Sequence, residues 1–244
     1  MQELVVHETP EFSLNSRPVL TIVAVLGMTV GLGLLYPSSL AGKTFTLLGL
    51  TLLGGLVGAW KGRALRGPAY WIAAIGSFVG LIVLYLFMGA LSLPLLVAAM
   101  MGWGCLEGLI LGPALAMYVE TLGAETVASA FGISAAVMAA CAAIANLTAV
   151  DTAGLGKWLS FGLLGLIVVA VIGMFRGFSE RVSKGYALFG MALFTGYFLF
   201  DFARLKQSPD NTWAQAGRLA VSIYLDFLNF FLFLLRFMSH SRHR

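Results

Sequence analysis

Two aspartates lie inside hydrophobic runs near the C-terminus: Asp201 in GYALFGMALFTGYFLFDFARLK and Asp226 in LAVSIYLDFLNFFLFLLRF. A carboxylate at bilayer depth costs about 2.5–3.5 kcal/mol on insertion scales, so it is kept there with a partner, a proton or a wet cavity. Two of them in consecutive apolar segments point to one shared site able to hold a proton or a cation. In the last segment Arg218, Ser222, Asp226 and Asn229 recur at helical spacing, which lines them up on one face of a helix. Tyr197, Asp201 and Arg204 repeat the pattern in the segment before. Stripes that face each other let the two carboxyls share one proton, because desolvation and like charge both oppose ionising the second. Two plainer readings stand beside this one. Asp226 is a hydrogen-bonding residue between helices, or Asp201 reaches the headgroups beside Arg204.

Glu107 is a third acid in an apolar setting, within Gly102-Trp-Gly-Cys-Leu-Glu-Gly108. The flanking glycines let water or a helix approach closely. Glu107 either lines the same cavity or pairs with a lysine or arginine that snorkels inward. Asn146, Thr148 and Asp151 read as a solvated helix end, and Glu120 and Glu125 as a loop. Enzymatic chemistry is not expected. His7, His240 and His243 are all in the tails, so no span holds a Ser–His or metal–His set. His240-Ser-Arg-His243 reads as a basic tail before a metal site. Intramembrane aspartyl proteases need Gly-x-Gly-Asp and Tyr-Asp, where this chain has Ile-Tyr-Leu-Asp226 and Leu-Phe-Asp201. Phosphate-binding glycine loops are absent, and no cofactor is expected.

The elements that must position these residues are membrane helices. Mean hydropathy is +0.92 and 11% of residues are charged, against about 25% in soluble domains. Spans need about 20 mostly apolar residues, and eight such stretches can be drawn: 19–36, 44–60, 70–89, 93–118, 126–149, 158–175, 185–202 and 219–237. The last is short enough to be re-entrant. The expected fold is an all-α polytopic bundle of seven to eight spans over residues 18–238, between a polar tail at 1–17 and a basic tail at 239–244.

The net charge of +4 reports orientation and not nucleic-acid binding, because lysine and arginine cluster at span ends. With eight spans, Arg17, Lys61, Arg63, Arg66, Arg176, Arg181, Lys184, Arg236, Arg242 and Arg244 share the N-terminal side. Lys43, Lys157, Arg204, Lys206 and Arg218 lie opposite. This asymmetry places both termini in the cytoplasm. Glu3, Glu8 and Glu11 suit a secretory signal poorly; cleavage at Ser39-Leu40-Ala41 would leave seven spans. Cys105 and Cys141 read as packing residues. Glycines four apart, at 27/31, 54/58, 76/80 and 104/108/112, read as close-packing stripes. Gly112-Pro113 reads as a hinge in the fourth span, since proline leaves a carbonyl unbonded. Trp60, Trp71, Trp158 and Trp213 fall where interfacial anchors belong.

Three blocks carry a family resemblance: Glu107-Gly-Leu-Ile-Leu-Gly-Pro-Ala-Leu-Ala-Met-Tyr118, Phe-Leu-Phe-Asp201, and Val-Ser-Ile-Tyr-Leu-Asp226-Phe-Leu-Asn-Phe-Phe-Leu-Phe-Leu-Leu-Arg236. Over residues 94–238 the chain resembles the Bax inhibitor-1 family, and within it a bacterial branch of pH-sensitive calcium-leak proteins. The resemblance implies a bundle whose central path is closed by a di-aspartyl pair, here Asp201 and Asp226, that also attracts Ca²⁺ in transit. It implies the lipid bilayer, calcium ions and protons as partners, with room for a membrane protein partner, in a bacterial cytoplasmic membrane. That branch supports its latch with an arginine and an acid from early spans; the third span here contains neither. A second expectation is a non-conducting modulator that binds a membrane protease or another membrane complex. Bacterial relatives of that kind lack one of the two aspartates.

Overall fold

A computed structural model describes residues 17–241. The polar tail at 1–16, with His7, and the last three residues, with His243, lie outside the described residues. Eight helices follow one another: α1 (Arg17–Leu35), α2 (Leu40–Gly62), α3 (Pro68–Phe87), α4 (Leu93–Leu122), α5 (Ala124–Leu147), α6 (Thr152–Arg176), α7 (Glu180–Gln207) and α8 (Trp213–Ser241). Each is long and apolar enough to cross a bilayer. Helices are the expected solution, because hydrocarbon offers no partner for a bare backbone N–H or C=O.

Local chemistry sets the boundaries. Ser39 caps α2 by accepting from the Gly42 N–H, Asp151 caps α6 by accepting from Ala153 and Gly154, and Ser179 caps α7 by accepting from Val182. Pro68 and Pro94 stand in the first turns of α3 and α4, where the missing N–H costs nothing. Gly123 and Gly177 close α4 and α6 at φ +85° and +71°, a conformation that side-chain-bearing residues resist.

The last helix is longer than hydropathy alone indicates: α8 begins at Trp213 and runs unbroken for 29 residues, long and apolar enough to cross a bilayer. At about 1.5 Å per residue this exceeds the roughly 30 Å hydrocarbon core. Polar residues such as Gln215 and Arg218 occupy its first turns, so hydropathy alone places its start too late. Residues 239–241 continue α8 as helix.

The bundle is built around α8, which packs against α2, α4, α5 and α7. α1 lies on α2 and α5, α3 on α4, and α6 on α7. These three outer helices are mostly exposed and present large apolar side chains such as Ile72, Phe78 and Phe161 outward, as a lipid-facing surface does.

Extensive contact joins α2 to α4, and its cause is glycine. A Cβ at Gly54, Gly58 or Gly62 would collide with the backbone of Met101, Cys105 or Leu109; one at Gly104, Gly108 or Gly112 would collide with Thr51, Gly55 or Gly62. The two stripes therefore pack backbone to backbone. The other two pairs do not behave this way. Gly27, Gly31 and Gly76 have nothing within 4 Å of a built Cβ, and Gly80 has only ordinary contacts. α4 continues through Pro113 as one helix, with Gly112 pressed on the end of α2, so bending at Gly112-Pro113 would separate that contact.

At one end, polar staples tie the helices together. Lys206 Nζ donates to the Asn146 carbonyl at 2.8 Å, capping α5, and Lys43 Nζ donates to the Asn211 carbonyl at 2.6 Å. Trp60, Trp71 and Trp158 are exposed at helix ends. Cys141 is buried with its thiol toward the Thr195 carbonyl, and both cysteines are free thiols.

Gly108→Val is expected to destabilise the protein by about 1–3 kcal/mol through overpacking, whereas Gly76→Ala should be neutral or slightly stabilising. Thermal unfolding in detergent compares the two.

Candidate functional site

α7 and α8 run side by side in an aromatic register. Phe194 stacks on Phe233 with ring centroids 5.9 Å apart, and Phe198 meets Phe230 at 5.9 Å. One turn further along α7, the same antiparallel register sets Asp201 opposite Asp226. The two carboxyls are direct hydrogen-bonding neighbours, and the Ser222 hydroxyl stands beside Asp201. Asp201 is 0% exposed and Asp226 7%. The interhelical carboxyl pair expected from the two stripes is thus formed, well inside the bundle.

Buried serine and threonine hydroxyls elsewhere in the bundle are occupied. Thr29, Thr44, Thr51 and Ser134 are buried, and each donates its hydroxyl to the carbonyl one turn back in its own helix. Among the described residues, four buried side-chain polar atoms have no hydrogen-bond partner: Asp201 Oδ2, Asp226 Oδ2, Trp103 Nε1 and Tyr224 OH. Two of the four are the paired carboxyls. A carboxylate can only accept, so two ionised groups give each other no donor. A proton on one of them supplies it.

The flanking residues divide. Arg204 Nη1 lies 3.4 Å from Asp201 Oδ1 and over the Phe200 ring at 5.3 Å. Its side chain is 40% exposed, so the contact with Asp201 is long and partly hydrated. Arg218 does not reach Asp226; its guanidinium lies over Tyr85 of α3 at 5.9 Å. Arg204, Arg218 and Ser222 line a cleft of about 380 Å³ between α3 and α8, so three of the striped residues share one opening that leads toward the pair. Asn229 is not part of the group. Its amide donates to the Leu225 carbonyl of its own helix at 2.8 Å, the local bond that competes with any longer-range partner. Tyr197 is within electrostatic range of both aspartates, but its hydroxyl is matched with Ser160 of α6.

Glu107 follows neither of its two expectations. It does not contact the aspartate pair or a basic residue; it accepts from the Ser77 hydroxyl of α3 at 2.5 Å. Near it, Trp103 and Tyr224 meet edge to face at 5.4 Å, and the Tyr224 hydroxyl rests against Gly55. Sequence reading passed over Trp103 and Tyr224 as ordinary aromatics. The available signal was that Tyr224, two residues before Asp226, points from α8 to the side away from α7. No group of three or more His, Cys, Asp or Glu side chains is placed to hold a metal ion among the described residues.

With this geometry in place, likeness to other proteins becomes informative. The family model described as inhibitor of apoptosis-promoting Bax1 matches residues 38–243, and the chain belongs to this Bax inhibitor-1 family of membrane proteins. The matched stretch begins in the turn between α1 and α2. It therefore reaches further toward the N-terminus than the residue-94 limit read from motifs. Relatives include an uncharacterized protein of Rickettsia prowazekii, 29% identical over 66% of this chain and 70% of its own. One from Deinococcus radiodurans is 31% identical over 66% and 69%. An uncharacterized membrane protein of Streptococcus pyogenes is 31% identical over 70% and 75%.

Asp226→Asn retains a donor for Asp201 and should change stability by less than about 1 kcal/mol. Asp226→Leu orphans a buried carboxyl and should cost about 1–3 kcal/mol. Asn229→Leu should behave like a surface change, because only a bond within α8 is lost. Unfolding midpoints in one detergent order the three variants.

Proposed function

We propose that this protein is a pH-responsive leak path for cations, calcium among them, in a bacterial cytoplasmic membrane, and that Asp201 and Asp226 form its latch. The observation that carries the reading is the direct meeting of two buried carboxyls from adjacent helices, each with an oxygen that lacks a donor. With one proton between them the pair is a hydrogen bond that holds α7 to α8. Once that proton leaves, two like charges face each other where water screens them poorly, and they push the helices apart. Arg204 is placed to steady Asp201 in the ionised state.

The same change that loosens the helices creates a cation attractor. Ca²⁺ prefers carboxylate oxygens but takes six to eight ligands at once. Two carboxylates supply at most four, and no third acid joins them, so a passing ion would keep part of its water. That suits transit better than storage. The cleft between α3 and α8 offers a way in beside Ser222, and the two arginines at its wall would slow cation entry until Arg204 is drawn onto an ionised Asp201. Bacterial relatives and the basic N-terminal side support a cytoplasmic-membrane location with both termini inside.

In proteoliposomes with an internal calcium dye, flux should vary with pH for the wild type, and the variation should flatten in Asp201→Asn and Asp226→Asn. Unchanged flux and an unchanged profile in both variants would remove the latch. Co-purification of a stoichiometric membrane protein, with no flux at any pH, would favour a modulator of another complex.

A further inference from the structure

A second cleft, of about 650 Å³, opens where the C-terminal ends of α4 and α8 meet the start of α7. Its fixed point is Arg236. The Arg236 Nε donates to the Ser183 hydroxyl at 3.2 Å. The Phe178 and Tyr186 rings lie 5.0 and 4.9 Å from its guanidinium carbon. Those contacts hold the guanidinium in place without neutralising it. Ion pairs among the described residues join Lys184 to Glu180 and Arg204 to Asp201, and no acidic side chain lines the cleft.

The rest of the lining suits one ligand chemistry. Tyr118, Thr121 and Ser183 line the cleft, the Thr121 hydroxyl donating to the Met117 carbonyl of its own helix at 2.9 Å. The ring of His240 is fixed at its wall, where Nδ1 donates to the Arg236 carbonyl at 2.8 Å. Met117, Leu122 and Phe178 add an apolar side. A half-buried guanidinium with free Nη groups is a fork that matches two phosphate oxygens at once. The cleft lies at helix ends, the depth at which headgroups meet a spanning bundle.

We propose that the Arg236 cleft binds a phosphate ester, and that the ligand is the headgroup of an anionic membrane lipid seated against α4, α7 and α8. The phosphate would supply the counter-charge that the described residues do not. Because Arg236 is on α8 and Ser183 on α7, a bound headgroup also bridges the two helices that carry the aspartate pair, at their other end. The site stands on its own observations and does not depend on the leak reading.

The test uses the full-length protein in a neutral detergent, titrated separately with phosphatidylglycerol, phosphatidylcholine and inorganic phosphate. Binding is read as lipid adducts in native mass spectrometry and as a rise in the unfolding midpoint. The expected result is a phosphatidylglycerol adduct and stabilisation in the wild type, at least tenfold weaker binding in Arg236→Gln, and full binding in Arg176→Gln, which removes an exposed charge at the same end. Tyr118→Phe and Arg236→Lys, which keep the fold's main contacts, should each weaken binding even if Arg236→Gln does not fold. Stabilisation by inorganic phosphate equal to that by the lipid would assign the site to free phosphate instead. Full binding in Arg236→Gln, or in both Tyr118→Phe and Arg236→Lys, overturns the proposal. An equal loss in Arg176→Gln overturns it too, because diffuse positive charge would then explain the binding.

Discussion

In hydrocarbon, every buried polar group must find its partner within the protein. This chain meets that demand almost entirely locally. Thr29, Thr44, Thr51 and Ser134 turn their hydroxyls back onto their own helices, and Asn229 does the same with its amide. Asp201 and Asp226 have no such escape, because a carboxylate cannot donate to a carbonyl. Their carboxyls meet instead across the contact between α7 and α8.

The rest of the bundle holds that junction in position. The glycine stripes of α2 and α4 bring two backbones into contact, leaving little room for either helix to slide. α8 is then enclosed by α2, α4, α5 and α7, with Tyr224 and Trp103 packed on the face opposite the aspartates. The aromatic ladder of Phe194, Phe198, Phe230 and Phe233 sets the register in which the carboxyls meet, so a slip of one turn would separate them.

Charge is distributed to match. Arg204 and Arg218 stand at the cleft near the aspartates, and Arg236 at the far end of the same helix pair. Each lies against an aromatic ring, and among the described residues only Arg204 of the three touches an acid. Membership in the Bax inhibitor-1 family accounts for the shared bundle.

Hydropathy and helix period were enough to read an all-helical membrane protein with eight spans, and residue type alone singled out Asp201 and Asp226. Those signals are local: an apolar run of about 20 residues has one stable conformation in a bilayer, and an acid within it is conspicuous. Which polar neighbours join the pair was not legible. Asn229 and Ser222 lie on the same stripe, yet one bonds its own helix and the other faces Asp201, because a stripe some 100° wide is divided among several neighbouring helices. Glu107 found Ser77 for the same reason, through the packing of α3 on α4. Glycine spacing was equally ambiguous: three pairs and one triplet share it, and only tertiary contact separates the stripes that pack from those that do not. The composition of each helix thus determined that this chain spans a membrane and carries acids at depth; the angular placement of helices around α8 decided which of those polar groups meet.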